Sequence, residues 1–391
     1  MTPPARLQAA IEILDEVIAS ARSDGPPADA IVTRYFKHRR YAGSKDRRAV
    51  RELVFRIIRR SAERPESGRF AAVGLAKDDQ EIMDLFGQAR GPEPFKPDEE
   101  GASDGFVPNW IAGELSTLVE PEEWPGLLER APLDLRANIA KTSRSELLEQ
   151  LVDAEQTPVS PWGIRLPPGR RIDDHPAFEA GLFEVQDEGS QLIALACDPK
   201  DGEAIVDLCA GAGGKALALA AAAPGASILA TDSNRARLSK LAPRAQRAAA
   251  RIETRLINPP GELEELADWH GRADLVLVDA PCSGSGTWRR NPDGRWRLTP
   301  ERLDQAIAVQ SRLLELAAEL VRPGGKLVYA VCSLLSREGA GQIAHFLERH
   351  SSWISEETPI PAGRADGAGR LLTPGHDRTD GFFVARLRRP C

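Results

Sequence analysis

What this 391-residue sequence has little of narrows the field first. It holds five cysteines, Cys197, Cys209, Cys282, Cys332 and Cys391, an odd number with no Cys-x-x-Cys pair among them. That argues against a disulfide framework and for a reducing compartment. No histidine accompanies Cys282 or Cys332, so no metal site is expected there. Met1 to Arg6 lack the basic start and apolar core of a secretory leader, and no apolar run approaches a membrane span. A cytoplasmic protein without membrane contact is expected. No internal repeat is present, and the only low-complexity tracts are alanine runs.

What is present is a long, ordinary globular composition, 42% hydrophobic and 28% charged, enough for two or three domains. The formal net charge of −7 argues against a nucleic-acid partner only as an average. Between Arg34 and Arg60 stand eleven Lys or Arg residues against two acids, Asp46 and Glu52. Leu7, Ile11, Leu14 and Ile18 recur at helical spacing, as do Val50, Leu53, Val54, Ile57 and Ile58. The first 90 residues therefore read as a small helical unit with a basic exterior. A solvated helix face would explain that exterior, but unpaired like charges on neighbouring turns repel one another, which favours an RNA-facing surface.

Residues 91–130 read as a linker, Pro-, Gly- and acid-rich from Gly91 to Phe106, followed by a helical segment from Pro108. Residues 131–185 read as a small α+β module. It has strands at Leu133–Ala140 and Gly163–Leu166, and between them a helix, Ser143–Ala154, with Glu146 three residues after its Ser cap. From 186 to 391 apolar strands alternate with helices, the pattern of a parallel sheet covered on both faces. The strands are Ala204–Leu208, Ser227–Thr231, a weak Arg255–Ile257, Leu275–Val278 and Lys326–Val331, with Phe382–Leu387 as an antiparallel edge strand. The fold class expected is α/β, Rossmann-like.

Gly211, Gly213 and Ala216 fit the G-x-G-x-x-G/A spacing after the first of these strands, and Asp232 closes the second. Together they indicate an adenosine-bearing cofactor, with Asp232 accepting from ribose hydroxyls. The spacing leaves a nicotinamide dinucleotide and S-adenosylmethionine both open. A Walker reading of Lys215 fails, because the glycines are too close and Ala216 follows the lysine. Asp279, Pro281 and Cys282 end the fourth strand and Cys332 ends the fifth, and in the usual doubly wound order these strands are neighbours. Free cysteine is commonly a buried small hydrophobe, which suits Cys197, Cys391 and Cys209. Cys282 and Cys332 are followed by Ser283 and Ser333, and they are expected to share a pocket with Asp279.

Two thiols beside a methyl donor suggest one chemistry. Cytosine C5 becomes a nucleophile once a thiolate adds to C6, a carboxyl group holding N3 and the amine favours that addition, and a second group helps expel the thiol. His376 and Asp377 read as a turn. Trp288, Arg289, Arg290, Arg295, Trp296 and Arg297 suggest stacking and phosphate contacts to an unstacked base, with a loop pinned by its tryptophans as the plainer explanation.

Three segments, Asp207-Leu208-Cys209-Ala210-Gly211-Ala212-Gly213-Gly214-Lys215, Asp279-Ala280-Pro281-Cys282-Ser283-Gly284-Ser285-Gly286 and Tyr329-Ala330-Val331-Cys332-Ser333, resemble successive signature motifs of the Nop/Sun family of RNA (cytosine-5) methyltransferases, in its bacterial RsmB type. The similarity extends to Val185-Gln186-Asp187-Glu188-Gly189-Ser190-Gln191, Arg290-Asn291-Pro292-Asp293 and Asp380-Gly381-Phe382-Phe383. The N-terminal unit is similar to a NusB-like RNA-binding domain and the 131–185 module to an RRM-like subdomain. The resemblance implies Cys332 as nucleophile, Cys282 as the release cysteine, and Cys209, Ala210, Gly211, Ala212, Gly213, Gly214, Lys215, Asp232, Arg237, Asn258 and Asp279 around S-adenosylmethionine and the base, with Lys215 also touching the donor carboxylate or the nucleotide. It implies 16S ribosomal RNA as substrate, with transfer RNA as the other RNA, and a monomer. The chain departs from the family at Val331, where Thr is usual, at Asn258, where Asp is usual, and in Ala-Gly-Ala-Gly-Gly, where Ala-Ala-Pro-Gly-Gly is usual. Weaker donor binding follows, not loss of function. The readings from other classes are a nicotinamide-dependent oxidoreductase and a noncatalytic RNA-binding or assembly factor.

Overall fold

The computed structural model describes every residue except Asp24, Arg40, Pro97, Pro168 and Asp173. It divides into two compact units, one of Met1–Leu115, Glu120–Arg130 and Thr287–Pro300, the other of Ser116–Val119, Ala131–Gly286 and Glu301–Cys391. Among the described residues no helix is long and apolar enough to cross a membrane.

The first unit is helical. Helix α1 (Pro3–Arg22) turns Leu7, Ile11, Leu14 and Ile18 into the core, as their spacing requires. Helices α2 (Ala28–Lys37) and α4 (Gly68–Asp78) add Ile31, Val32, Tyr35, Phe36 and an alanine-rich face. Helix α3 (Ser44–Arg60) buries Val50, Val54, Ile57 and Ile58, with Leu53 half-buried. Part of the stretch expected as a linker lies along these helices: Ala102 N donates to Phe70 O (3.0 Å), Gly105 N to Arg60 O (2.9 Å), and Glu99 pairs with Arg69 at 2.6 Å. The basic exterior also differs from expectation. Arg34, Arg39, Arg51, Arg56 and Arg60 pair with Glu16, Glu12, Asp29, Asp79 and Asp78. The repulsion that argued for phosphate partners is thus relieved at five of the eleven cations, by acids that lie outside the stretch where the charge was counted. Arg40, part of that count, lies outside the described residues.

The second unit begins with a four-stranded antiparallel sheet. Strands β1 (Leu133–Ala137), β2 (Glu155–Gln156), β3 (Gly163–Leu166) and β4 (Phe183–Val185), with helices α5 (Arg144–Gln150) and α6 (Pro176–Glu179), run β-α-β-β-α-β, and the sheet order is β2-β3-β1-β4. That is a ferredoxin-like arrangement. The expected capping box is present: Ser143 Oγ accepts from Glu146 N (3.2 Å) while Glu146 accepts from Ser143 N (2.9 Å).

Helix α7 (Glu188–Cys197) then leads into the large sheet. Its strands are β5 (Ala204–Asp207), β6 (Ser227–Asp232), β7 (Glu253–Leu256), β8 (Ala273–Asp279), β9 (Val321–Val331), β10 (Ile354–Glu356), β11 (Arg364–Asp366), β12 (Gly369–Leu372) and β13 (Phe382–Arg388). Their order is β11-β12-β13-β9-β8-β5-β6-β7, with β10 also on β13. Strands β7 through β9 are parallel, and β13 is antiparallel to β9, as expected. The edge assignment needs correction, because β12 and β10 pair with β13, which is therefore internal. Its run of buried Phe382, Phe383, Val384, Ala385 and Leu387 is too apolar for an open edge. Helices α8 (Gly214–Ala222), α9 (Pro300–Leu320) and α10 (Ala340–Arg349) complete the elements used below.

Candidate active site

The glycine turn after β5 is shaped by two left-handed residues, Gly211 (φ 57°) and Gly213 (φ 83°). A Cβ on Gly211 would lie 2.5 Å from the Arg237 guanidinium, and one on Gly213 would lie 2.4 Å from Leu241. Only glycine satisfies both the dihedral and the space. Arginines tie down the loop's carbonyls, Arg244 on Ala212 O (2.6 Å) and the buried Arg136 on Gly214 O (2.7 Å). These clamps offset the missing proline. Gln186, from the Val185–Gln191 motif, accepts from Arg136, and Glu188 and Gln191 of the same motif bond to Val159, Ser160 and Leu135. That motif therefore supports the loop from behind.

Asp232, at the end of β6, holds two turns at once. Its Oδ2 accepts from Gly211 N (2.8 Å) and its Oδ1 from Asn234 N (2.6 Å). Each oxygen keeps a lone pair for a ribose hydroxyl, and Asp232 lines a cavity of about 470 Å³ together with Cys209, Arg237, Asp279, Cys282 and Cys332. A cavity of that size suits a nucleoside-bearing cofactor.

At the other end of the cavity, β8 and β9 run side by side, Asp279 opposite Ala330, so Cys282 and Cys332 leave adjacent strand ends. Their Sγ atoms are 3.4 Å apart. Lys215 Nζ donates to Asp279 Oδ2 at 2.7 Å and lies 5.5 Å from the centre of the Phe382 ring. Burial alone would lower the Lys215 pKa, but the Asp279 carboxylate outweighs it and holds the ammonium charged. The hydrogen bond to Cys332 and burial push the Cys282 thiol well above its usual range, with the Glu338 carboxylate adding to the rise. Burial does the same for Cys209. Asp207, fully buried beneath the site, is pushed up to about 7 by burial and by the charge of Asp279.

Several expected site residues stand elsewhere. Asn258 is exposed and absent from the cavity wall, because its amide donates to Glu265 Oε1 (2.9 Å) and its backbone N–H to Glu265 Oε2 (2.7 Å). Glu262 and Arg312, paired with each other, line the wall there instead, and neither was expected. Ala210, Gly211, Ala212, Gly213, Gly214 and Lys215 build the turn and the start of α8, not the wall. The Trp–Arg stretch corrects the expectation of an RNA-contacting loop. Trp288, Arg295 and Trp296 are each 1% exposed, and the stretch belongs to the helical unit. Arg295 donates to Ile58 O (2.7 Å), Arg59 O (3.2 Å) and Phe106 O (2.5 Å), supplying the C-terminal carbonyls of α3 with the donors they lack. Trp296 Nε1 donates to Ser61 O (2.9 Å), and Arg297 to Gly25 O (2.9 Å) and Pro26 O (2.7 Å). His376 and Asp377 form the expected turn, with Asp377 accepting from Gly363 N and Thr373 N. Glu338 was not foreseen. A lone acid just before a helix reads as ordinary helix capping, and nothing local marks its contacts.

The comparisons bear on this geometry. The family described as 16S rRNA methyltransferase RsmB/F matches residues 194–388. The ribosomal RNA small subunit methyltransferase B of Yersinia enterocolitica is 34% identical over 290 residues, 72% of this chain and 66% of that protein. That of Yersinia pseudotuberculosis is 35% identical over the same shares. The chain belongs to the RsmB/F methyltransferase family. It matches about two thirds of these relatives' own length, 66%. Among solved structures, PH0851 superposes over all of this chain and 99% of its own with TM-score 0.77 at 22% identity. NSun6 of Pyrococcus horikoshii, solved with SFG, covers 72% of this chain and 98% of its own with TM-score 0.63 at 20% identity. At such identities the likeness is one of fold. Of the two cofactors that the glycine spacing left open, membership of the RsmB/F family selects S-adenosylmethionine.

Proposed function

We propose that the protein methylates C5 of a cytosine in 16S ribosomal RNA through a covalent bond between Cys332 Sγ and C6. The observation that carries the reading is the pair of thiols 3.4 Å apart that line one cavity together with Asp279, which is ion-paired to Lys215. Bound S-adenosylmethionine supplies an electrophilic methyl group, and Asp232 and Arg237 are the groups placed to hold its nucleoside end.

The two thiols leave different strands, Cys332 just past β9 and Cys282 past the end of β8, and the reading gives them separate roles. The Lys215 ammonium lies within electrostatic reach of Cys332. Burial and the hydrogen bond to Cys332 raise the Cys282 thiol, so Cys282 is a group that can hold or release a proton beside the attacking sulfur. In the reading, Cys332 Sγ forms the bond to C6, the electron pair of the C5–C6 double bond moves onto the ring, a proton from the Lys215–Asp279 pair meets the charge at N3, and Asp279 accepts from the exocyclic amine. Once C5 carries the methyl group, Cys282 as a thiolate takes the C5 proton, the electrons of that C–H bond re-form the C5–C6 double bond, and those of the Cys332–C6 bond return to Cys332 as a thiolate. The β-α-β-β-α-β order of the described residues in 131–185 supports the RRM-like assignment, and helices α1 to α4 of the first unit are the basis for the NusB-like one.

The test is incubation of the purified protein with small-subunit RNA and methyl-labelled donor, followed by bisulfite sequencing. Label at one protected cytosine is expected. Label on a base other than cytosine would overturn the reading.

A further inference from the structure

Glu338 is a buried acid that the scheme above leaves without a task. It is 0% exposed, and its side chain meets four donors. Oε1 accepts from Ser283 N (2.8 Å) and from Gln310 Nε2 (2.9 Å), and Oε2 accepts from Ser333 Oγ (2.5 Å) and from Ser283 Oγ. Ser283 directly follows Cys282, and Ser333 directly follows Cys332. One carboxylate thus grips the residue next to each thiol, on turns that leave two different strands.

Other contacts brace the same grip. Gln310, on α9, also donates to Pro281 O (3.0 Å), the residue before Cys282. Tyr329, in β9, donates its hydroxyl to the Glu338 backbone carbonyl at 2.7 Å. Ser285 Oγ sits 3.1 Å from Ser333 Oγ and accepts from Leu334 N at 2.8 Å. A buried acceptor with four donors is costly to remove, because each donor would be left unpaired. Neither Glu338 nor Gln310 lines the cavity.

We infer that Glu338 is the positioning residue of the thiol pair: its carboxylate locks the Ser283 and Ser333 turns together and so sets the spacing of Cys282 and Cys332 without touching substrate or donor. The consequence for catalysis rests on the methyltransferase reading, but the consequence for the thiols does not. The experiment therefore reads both.

In the full-length protein, phenylarsine oxide, which needs two adjacent thiols, is titrated against wild type, Glu338→Gln and Glu338→Ala, with iodoacetamide labelling and mass spectrometry to show that each thiol is still reachable. Capture of the arsenical by Cys282 and Cys332 should weaken by about tenfold in Glu338→Ala and less in Glu338→Gln, which keeps the shape and one acceptor. In parallel, kcat for RNA methylation should fall by about 10- to 100-fold with the donor's Kd unchanged, since a misplaced group costs rate while the cofactor wall is intact. Wild-type capture in both variants would overturn the inference. Altered capture in a protein that methylates no RNA would uphold the inference while removing the function proposed above. Should the Glu338 variants fail to fold, Ser283→Ala and Ser333→Ala, each deleting one hydroxyl, carry the same test. Weakened capture in either supports the positioning role, and unchanged capture in both contradicts it.

Discussion

The connection that follows β8 contains two stretches of unusual residues, and they serve opposite ends. Residues 279–286 are small and polar, and their side chains gather around the thiols: Asp279 on Lys215, Cys282 on Cys332, Ser283 on Glu338. Residues 288–297 carry two tryptophans and four arginines, the composition that suggests a base-stacking loop, yet Trp288, Arg289, Arg295 and Trp296 are buried in the helical unit. Arg295 and Trp296 spend their donors on backbone carbonyls at the end of α3. Residue type alone misleads here. What separates the two stretches is where their side chains lie: Asp279, Pro281 and Cys282 line the cavity, whereas Trp288, Arg295 and Trp296 are enclosed in the helical unit.

Substitutions can sharpen or break that contrast. Cys332→Ala, in the first stretch's pocket, should lower kcat for methylation by more than about 10³-fold, as loss of a covalent nucleophile does, with the melting temperature almost unchanged. Arg295→Met, in the second, should do the reverse. By leaving buried carbonyls unpaired it should cost on the order of 2–4 kcal/mol in denaturant unfolding, while calorimetry shows the donor's Kd unchanged. Equal losses of rate and stability in both variants would erase the distinction.

A smaller effect concerns Asp207, the buried acid beneath the site. Its native pKa of about 7 lies above the ordinary carboxyl value, so the native state favours its protonated form. Its contribution to stability is therefore full below about pH 4 and is lost as pH rises through 7. Asp207→Asn should remove that slope. The variant should gain on wild type as pH rises from 4 to 8, by roughly 1–3 kcal/mol at the upper end. A constant difference across that range would show that Asp207 is not the buried titrating group.

Much of this organisation was legible in the sequence, for identifiable reasons. The β5-β8-β9 neighbourhood follows from the alternation of apolar strands with helices, and it brings Cys282 to Cys332. The glycine turn and Asp232 follow from spacing, since their contacts are local in the chain. What was not legible depends on distant partners. The pairing of Arg34, Arg39 and Arg56 uses acids 18 to 27 residues away, so the charge count alone overstated the free cations. The tryptophan–arginine stretch meets α3 across more than 230 residues. The resemblance puts Asn258 around the cofactor, but Glu265, seven residues on, takes its amide. Glu338 lies only six residues past Cys332, yet its importance arises from Ser283, 55 residues earlier.

The division of labour between the thiols is the central claim, and covalent trapping tests it most directly. Purified Cys282→Ala, given donor and small-subunit RNA, should accumulate a protein–RNA adduct that survives a denaturing gel, because Cys332 still attacks and release is slowed. The double variant Cys282→Ala with Cys332→Ala should form none. An adduct that accumulates with Cys332→Ala and not with Cys282→Ala would reverse the roles assigned here and contradict the account.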